Sequence, residues 1–119
     1  MKIISPKFHA VLDYLLIMFL LASPDIFGLS KTASTLAYAI GIIHFLLTVC
    51  TNFSGGIFKI IDLKLHGLIE FSISIVLVIL AFTLFKGNLA DEIFCACSGL
   101  LILIIFTLTD YKRSLPVIL

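Results

Sequence analysis

The sequence predicts an all-α fold, a four-helix transmembrane bundle made of two tandem two-helix repeats. Three observations carry that prediction. Of the 119 residues, 61% are hydrophobic and only 13% are charged, with mean hydropathy +1.26. A soluble domain is about half apolar and about a quarter charged, so the solvent for this surface must be lipid. Four apolar runs lie near 8–27, 33–52, 66–85 and 92–110, each close to the roughly 20 residues a spanning helix needs. Finally, KIISPKFHAVLDY at 2–14 returns as KIIDLKLHGLIEF at 59–71, with five of thirteen positions identical and six more closely similar.

The first run opens behind Lys2 and Lys7 and carries His9 and Asp13 at its head. A secretory signal is excluded: the two polar residues interrupt its apolar stretch, and the same segment recurs inside the chain at Lys59. Ser23-Pro24 near its end is expected to kink or stop the helix. Gly28 with Ser30 marks the turn that follows.

The second run bears a stripe of Ser34, Ala37, Gly41, His44, Thr48 and Thr51, spaced 3, 4, 3, 4, 3. Small and polar residues at helical spacing allow backbones to approach and bond across an interface in lipid. This face therefore packs on protein, with Gly41 at the contact. The next stretch, 53–65, mixes Ile57, Phe58, Ile60, Ile61, Leu63 and Leu65 with Lys59, Asp62 and Lys64. It is too polar to span and too apolar to float free, and is expected to lie in the membrane interface.

The third run repeats the first, with His66 and Glu70 in place of His9 and Asp13. The fourth follows Gly87-Asn88 and repeats the second: GIIHFLLTVCTNF (41–53) aligns with GLLILIIFTLTDY (99–111), pairing Gly41 with Gly99 and Thr51 with Thr109. Gly99 is accordingly a second packing glycine. The offset of 58 agrees with the 57 of the first match. The chain thus reads as one integral membrane domain over 1–119, with repeat 1 at 1–57 and repeat 2 at 58–119. An even number of spans per repeat relates the halves by an axis along the membrane normal.

Lys2, Lys7, Lys59, Lys64, Lys112 and Arg113 fall on one side, and Lys31 and Lys86 on the other. That bias predicts both termini and the 53–65 loop in the cytoplasm, as in a bacterial inner membrane. The net charge of +1 implies no nucleic-acid partner.

Two helices per repeat, with Ser23-Pro24 in the first helix and the histidine and acid of FHAVLDY at its head, resemble the SPW-repeat family of small integral membrane proteins. The chain has Asp25 where that family's tryptophan is expected, and Leu80-Ala81 at the matching place in the second repeat. The resemblance implies the architecture and no activity.

His9 and Asp13, like His66 and Glu70, are four residues apart and share one helix face. A twofold relation between repeats can bring the pairs together. Such a set suits zinc, iron or manganese, and paired histidines can flank a haem iron. The preferred reading of the set is nonetheless a structural clasp between repeats, with proton and polar-ligand handling a further alternative. His44 is deeper, about 12 Å from the Asn52 end at about 1.5 Å per residue. Its repeat counterpart is Ile102, so any role it has breaks the symmetry. Thr51-Asn52 and Thr109-Asp110 add to the polarity of the same end.

Cys95 and Cys97 are two residues apart on a helix and cannot form a Cys-x-x-Cys redox centre; with Cys50 they read as small apolar residues. No nucleotide loop, catalytic triad or phosphate cradle is present. The reading that results is a non-enzymatic membrane component, acting as a homo-oligomer or with other membrane subunits in the lipid bilayer. A membrane redox protein binding a metal, haem or quinone, and an oligomeric ion or proton conductor, are the alternatives.

Overall fold

Why each apolar run starts and stops where it does is visible at its ends. The computed structural model describes residues 2–113; Met1 and the last six residues of the 1–119 domain lie outside the described residues. Helix α1 spans Pro6–Phe27, α2 Lys31–Cys50, α3 Leu63–Phe82 and α4 Leu89–Leu108, and a short 3₁₀ turn, Tyr111–Arg113, follows. Ser5 caps α1 through a bond from Phe8 N–H of 3.2 Å, with Pro6 at the first helical position. Ser30 and Asn88 cap α2 and α4 in the same way, through Ala33 and Asp91 N–H. Gly28 closes α1 in the left-handed conformation, at φ 59°.

All four helices are long and apolar enough to cross a membrane. At roughly 1.5 Å per residue, 20 residues make about 30 Å, the hydrocarbon thickness. Large apolar side chains such as Met18, Leu46, Ile79 and Ile104 are exposed around the outside, as a lipid-facing surface requires.

The ends differ from the sequence expectation by a few residues. Helix α2 stops at Cys50 because Thr51 is extended, at φ −85° and ψ 144°. Helix α3 begins at Leu63 behind extended Asp62, so the segment expected to lie in the interface loses its last three residues to the helix. Pro24 does not end α1, which runs on to Phe27. The proline falls in the last turn, where few helical bonds remain to be lost.

Helix α1 packs mainly on α2, and α3 on α4, with α1 and α4 also touching. Glycines set both hairpin contacts. A Cβ at Gly41 would lie 2.8 Å from Leu21 Cδ2, and one at Gly99 would lie 2.8 Å from Val78 Cγ2 and 2.9 Å from the Ser74 carbonyl. Between the helices lies an apolar core that includes Leu16, Leu20, Ile40, Leu77, Ala81, Phe94 and Ile102.

At one end of the bundle, two short extended pairings tie the chain together. Ile4 pairs with Thr109 and Ile61 with Thr51. The bonds correspond: Ile4 N–H to Leu108 O matches Ile61 N–H to Cys50 O, and Asp110 N–H to Ile4 O matches Asn52 N–H to Ile61 O. Each pairing holds the start of an odd-numbered helix against the end of an even-numbered one. At the opposite end, Asp91 Oδ1 accepts from Ser30 N–H at 3.0 Å and joins α4 to the turn between α1 and α2.

Candidate metal centre

Three helices deliver five ionisable side chains to one point. Helix α1 supplies His9 and Asp13, α2 His44, and α3 His66 and Glu70; all are at most 1% exposed. The helical i, i+4 spacing puts each first-turn histidine directly above its acid. At about 1.5 Å per residue the acids lie roughly 10 Å along their helices, inside the apolar span.

The geometry is compact. His9 Nε2 lies 3.2 Å from Asp13 Oδ1 and 3.1 Å from Glu70 Oε2. His44 Nε2 lies 3.4 Å from Asp13 Oδ1 and 3.1 Å from Glu70 Oε1. His66 Nε2 lies 3.1 Å from Asp13 Oδ2 and 3.2 Å from Glu70 Oε1. Every Nε2 therefore faces both carboxylates, and each carboxylate faces all three imidazoles. None of the three Nε2 atoms makes a hydrogen bond of ordinary geometry, although all are fully buried.

The far sides of two rings fix where their protons are. Thr109 Oγ1 donates its one proton to Ile105 O at 2.6 Å and lies 2.7 Å from His9 Nδ1. Thr51 Oγ1 donates to Leu47 O at 2.6 Å and lies 2.7 Å from His66 Nδ1. With each hydroxyl proton committed to a carbonyl, both Nδ1 atoms must be the donors to the threonines. In a neutral ring that leaves Nε2 as a bare lone pair, aimed at carboxylate oxygens. Such an arrangement is repulsive unless positive charge lies between them.

Protons on the Nε2 atoms would supply that charge, and so would a divalent ion. Donors bound at about 2.0–2.2 Å to one ion are separated by roughly 3–3.5 Å, and the nitrogen–oxygen pairs here are 3.1–3.4 Å apart. Three neutral imidazoles and two carboxylates carry −2, which a divalent ion cancels, and neutrality matters in a low-dielectric core. His9, Asp13, His66 and Glu70 offer ligand atoms all within 4.8 Å of one another, and His44 completes the set. Borderline nitrogen with hard oxygen donors suits iron, manganese or zinc. A haem between His9 and His66 does not fit. Their ring centroids are 5.3 Å apart in an edge contact, with both Nε2 atoms turned to the same acids rather than to opposite faces of a macrocycle.

His44, which the sequence set apart as a deeper and asymmetric residue, belongs to this centre. Its counterpart Ile102 is 1% exposed and sits in the apolar core. The centre consequently has three histidines rather than four.

Two aromatic rings cover the centre at the bundle end. Phe53, fully buried, lies 6.3 Å from the His9 ring and 5.4 Å from that of His66. Tyr111 lies 5.8 Å from His9, and its hydroxyl makes a long bond of 3.5 Å to Glu70 Oε2. Burial, then the Glu70 charge, raises the Tyr111 pKa, so the phenol keeps the proton it donates. Gly67 makes this seat possible, since a Cβ there would meet the Tyr111 ring at 2.7 Å. Neither covering role was read from the sequence. Phe53 and Tyr111 do occupy aligned positions, which was the available signal.

Gly41 and Gly99 lie at helix contacts. Cys95 is buried and Cys97 exposed on one helix, and Cys50 is intermediate; all three are free thiols. Comparison of the chain with protein-family models, curated proteins and solved structures gave no match.

Proposed function

We propose that this small membrane protein binds one divalent transition-metal ion through His9, Asp13, His44, His66 and Glu70. The observation that carries the reading is the orientation of His9 and His66. Both are held by threonine hydroxyls so that their Nε2 atoms converge, with His44 Nε2, on two carboxylates. Support of a histidine's second nitrogen by a fixed partner is the usual environment of a metal ligand. Five protein donors and two covering rings favour a closed site that retains its ion, over one that offers the ion to a substrate. The chain then acts as a non-enzymatic membrane component, alone, as an oligomer or beside other subunits, with its termini in the cytoplasm. Ion or proton conduction is less well supported, because below the centre the interior is filled by residues such as Leu20, Leu77 and Ile102.

The test is elemental analysis and a visible spectrum of protein purified in mild detergent without added chelator. About one iron, manganese or zinc per chain is expected. Metal-free protein that also fails to take up Fe²⁺, Mn²⁺, Zn²⁺ or Co²⁺ on dialysis would leave the five residues as a structural clasp.

A further inference from the structure

Outside the buried centre, three of the lysines at the same end of the bundle, from three separate segments, border one cleft. The pairing of Ile4 with Thr109 lays the segment before α1 across the end of α4. Lys2 Nζ there donates to Thr107 O at 3.0 Å, meeting the negative end of the helix dipole. Lys64 stands in the first turn of α3. Lys112 follows Tyr111, whose ring is seated over Gly67 of α3. These residues, with Asp110 and Tyr111, bound a cleft of about 520 Å³. Among the described residues Asp110 is the one acid in this wall, and its Oδ1 is engaged by the Lys112 N–H at 3.1 Å. Three lysines less one aspartate leave +2 on the cleft.

We propose that this cleft binds the phosphate headgroup of an anionic phospholipid. Charge favours a phosphate ester, and position favours its being on a lipid. The cleft lies at the ends of α3 and α4, where the headgroups of a surrounding bilayer would be. Leu68, four residues after Lys64 and 57% exposed, continues the same helix face into the apolar span. Ile3, beside Lys2, is 65% exposed. A lysine above an exposed apolar row matches an anionic headgroup above its acyl chain. None of the five buried residues is among the described residues that line the cleft, so the proposal stands independently of the metal.

The test uses the full chain in mild detergent with equal amounts of phosphatidylglycerol and phosphatidylcholine, read by native mass spectrometry. Retention of phosphatidylglycerol over phosphatidylcholine on the order of tenfold is expected. The preference should be lost in the K2Q/K64Q/K112Q variant and kept in K31Q/K86Q, whose lysines are at the other end. Should the triple variant not fold, Lys112→Gln alone, on the exposed turn, should still reduce the preference severalfold. Equal retention of the two lipids, or an unreduced preference in these variants, would overturn the proposal. So would a thermal shift from inorganic phosphate as large as that from phosphatidylglycerol, which would assign the cleft to a free anion.

Discussion

His66 Nδ1 lies 2.7 Å from Thr51 Oγ1, across the junction of α2 and α3. Because that hydroxyl already donates to Leu47 O, the imidazole gives its Nδ1 proton to Thr51 and turns Nε2 inward. Replacing Thr51 by Val keeps the shape and removes the acceptor. Metal affinity should fall roughly 10- to 100-fold, the usual effect of losing a ligand's outer partner. Thr51→Ser should retain most of it. Thr109→Val should match Thr51→Val, since Thr109 holds His9 at the same 2.7 Å. Chelator competition measures all three. A Val variant that binds as tightly as the native chain would mean that the hydroxyls do not set the tautomer.

His44→Ala, His9→Ala and His66→Ala should each lower bound metal to a similar degree. The reason is geometric: His44 Nε2 is 3.1 Å from Glu70 Oε1, as close as the other two rings come to an acid. Metal retained in His44→Ala but lost in the other two would restrict the site to the residues of α1 and α3.

How far this centre could be read from the chain depended on periodicity. The four spans follow from apolar run length, and the paired His–acid spacing follows from the recurrence at 2–14 and 59–71. Helix ends were less legible, because Thr51 and Asp62 leave the helix to form the Ile61 pairing, a contact between distant parts of the chain. His44 was visible as a polar residue on a small-residue stripe. Its distance from the centre could not be read, since that depends on how α2 is rotated against α1 and α3. Thr51 and Thr109 recur at the repeat offset, but their link to the histidines is tertiary. Phe53 and Tyr111 look like ordinary interface aromatics until the Ile4 and Ile61 pairings fold them over the rings.

Metal binding should be strongly pH-dependent and release protons. Ligand nitrogens must be unprotonated to coordinate. In the metal-free centre, neutrality against two buried carboxylates calls for two extra protons, carried between Nε2 atoms and acid oxygens. A divalent ion that takes their place displaces about two protons. Affinity therefore rises with pH. Calorimetry in buffers of different ionisation enthalpy counts the protons, and a count near zero would contradict charge balance as the organising feature of the site.

The orientation in the membrane is tested by labelling. In a chain lacking Cys50, Cys95 and Cys97, a cysteine at exposed Ser54 should resist an impermeant reagent added to intact cells, and one at exposed Lys86 should react. The expectation rests on six Lys and Arg residues on the loop side against two on the other. The opposite labelling pattern would place the metal centre toward the outer face.

The two packing glycines should differ in their tolerance of a side chain. At Gly41 an added Cβ meets Leu21 Cδ2 at 2.8 Å, the end of a flexible side chain that can turn aside. At Gly99 it meets the Ser74 carbonyl at 2.9 Å and Leu77 Cβ at 3.1 Å. Those atoms belong to the α3 backbone and to the root of a buried side chain, and neither moves without shifting the helix. Gly99→Ala should then cost about 1–3 kcal/mol through overpacking, and Gly41→Ala distinctly less. Thermal unfolding in detergent, with metal content measured on the same samples, separates this from any effect on the centre. Equal destabilisation by the two would mean that the α1–α2 and α3–α4 contacts are equally rigid, and that Leu21 does not have the freedom argued here.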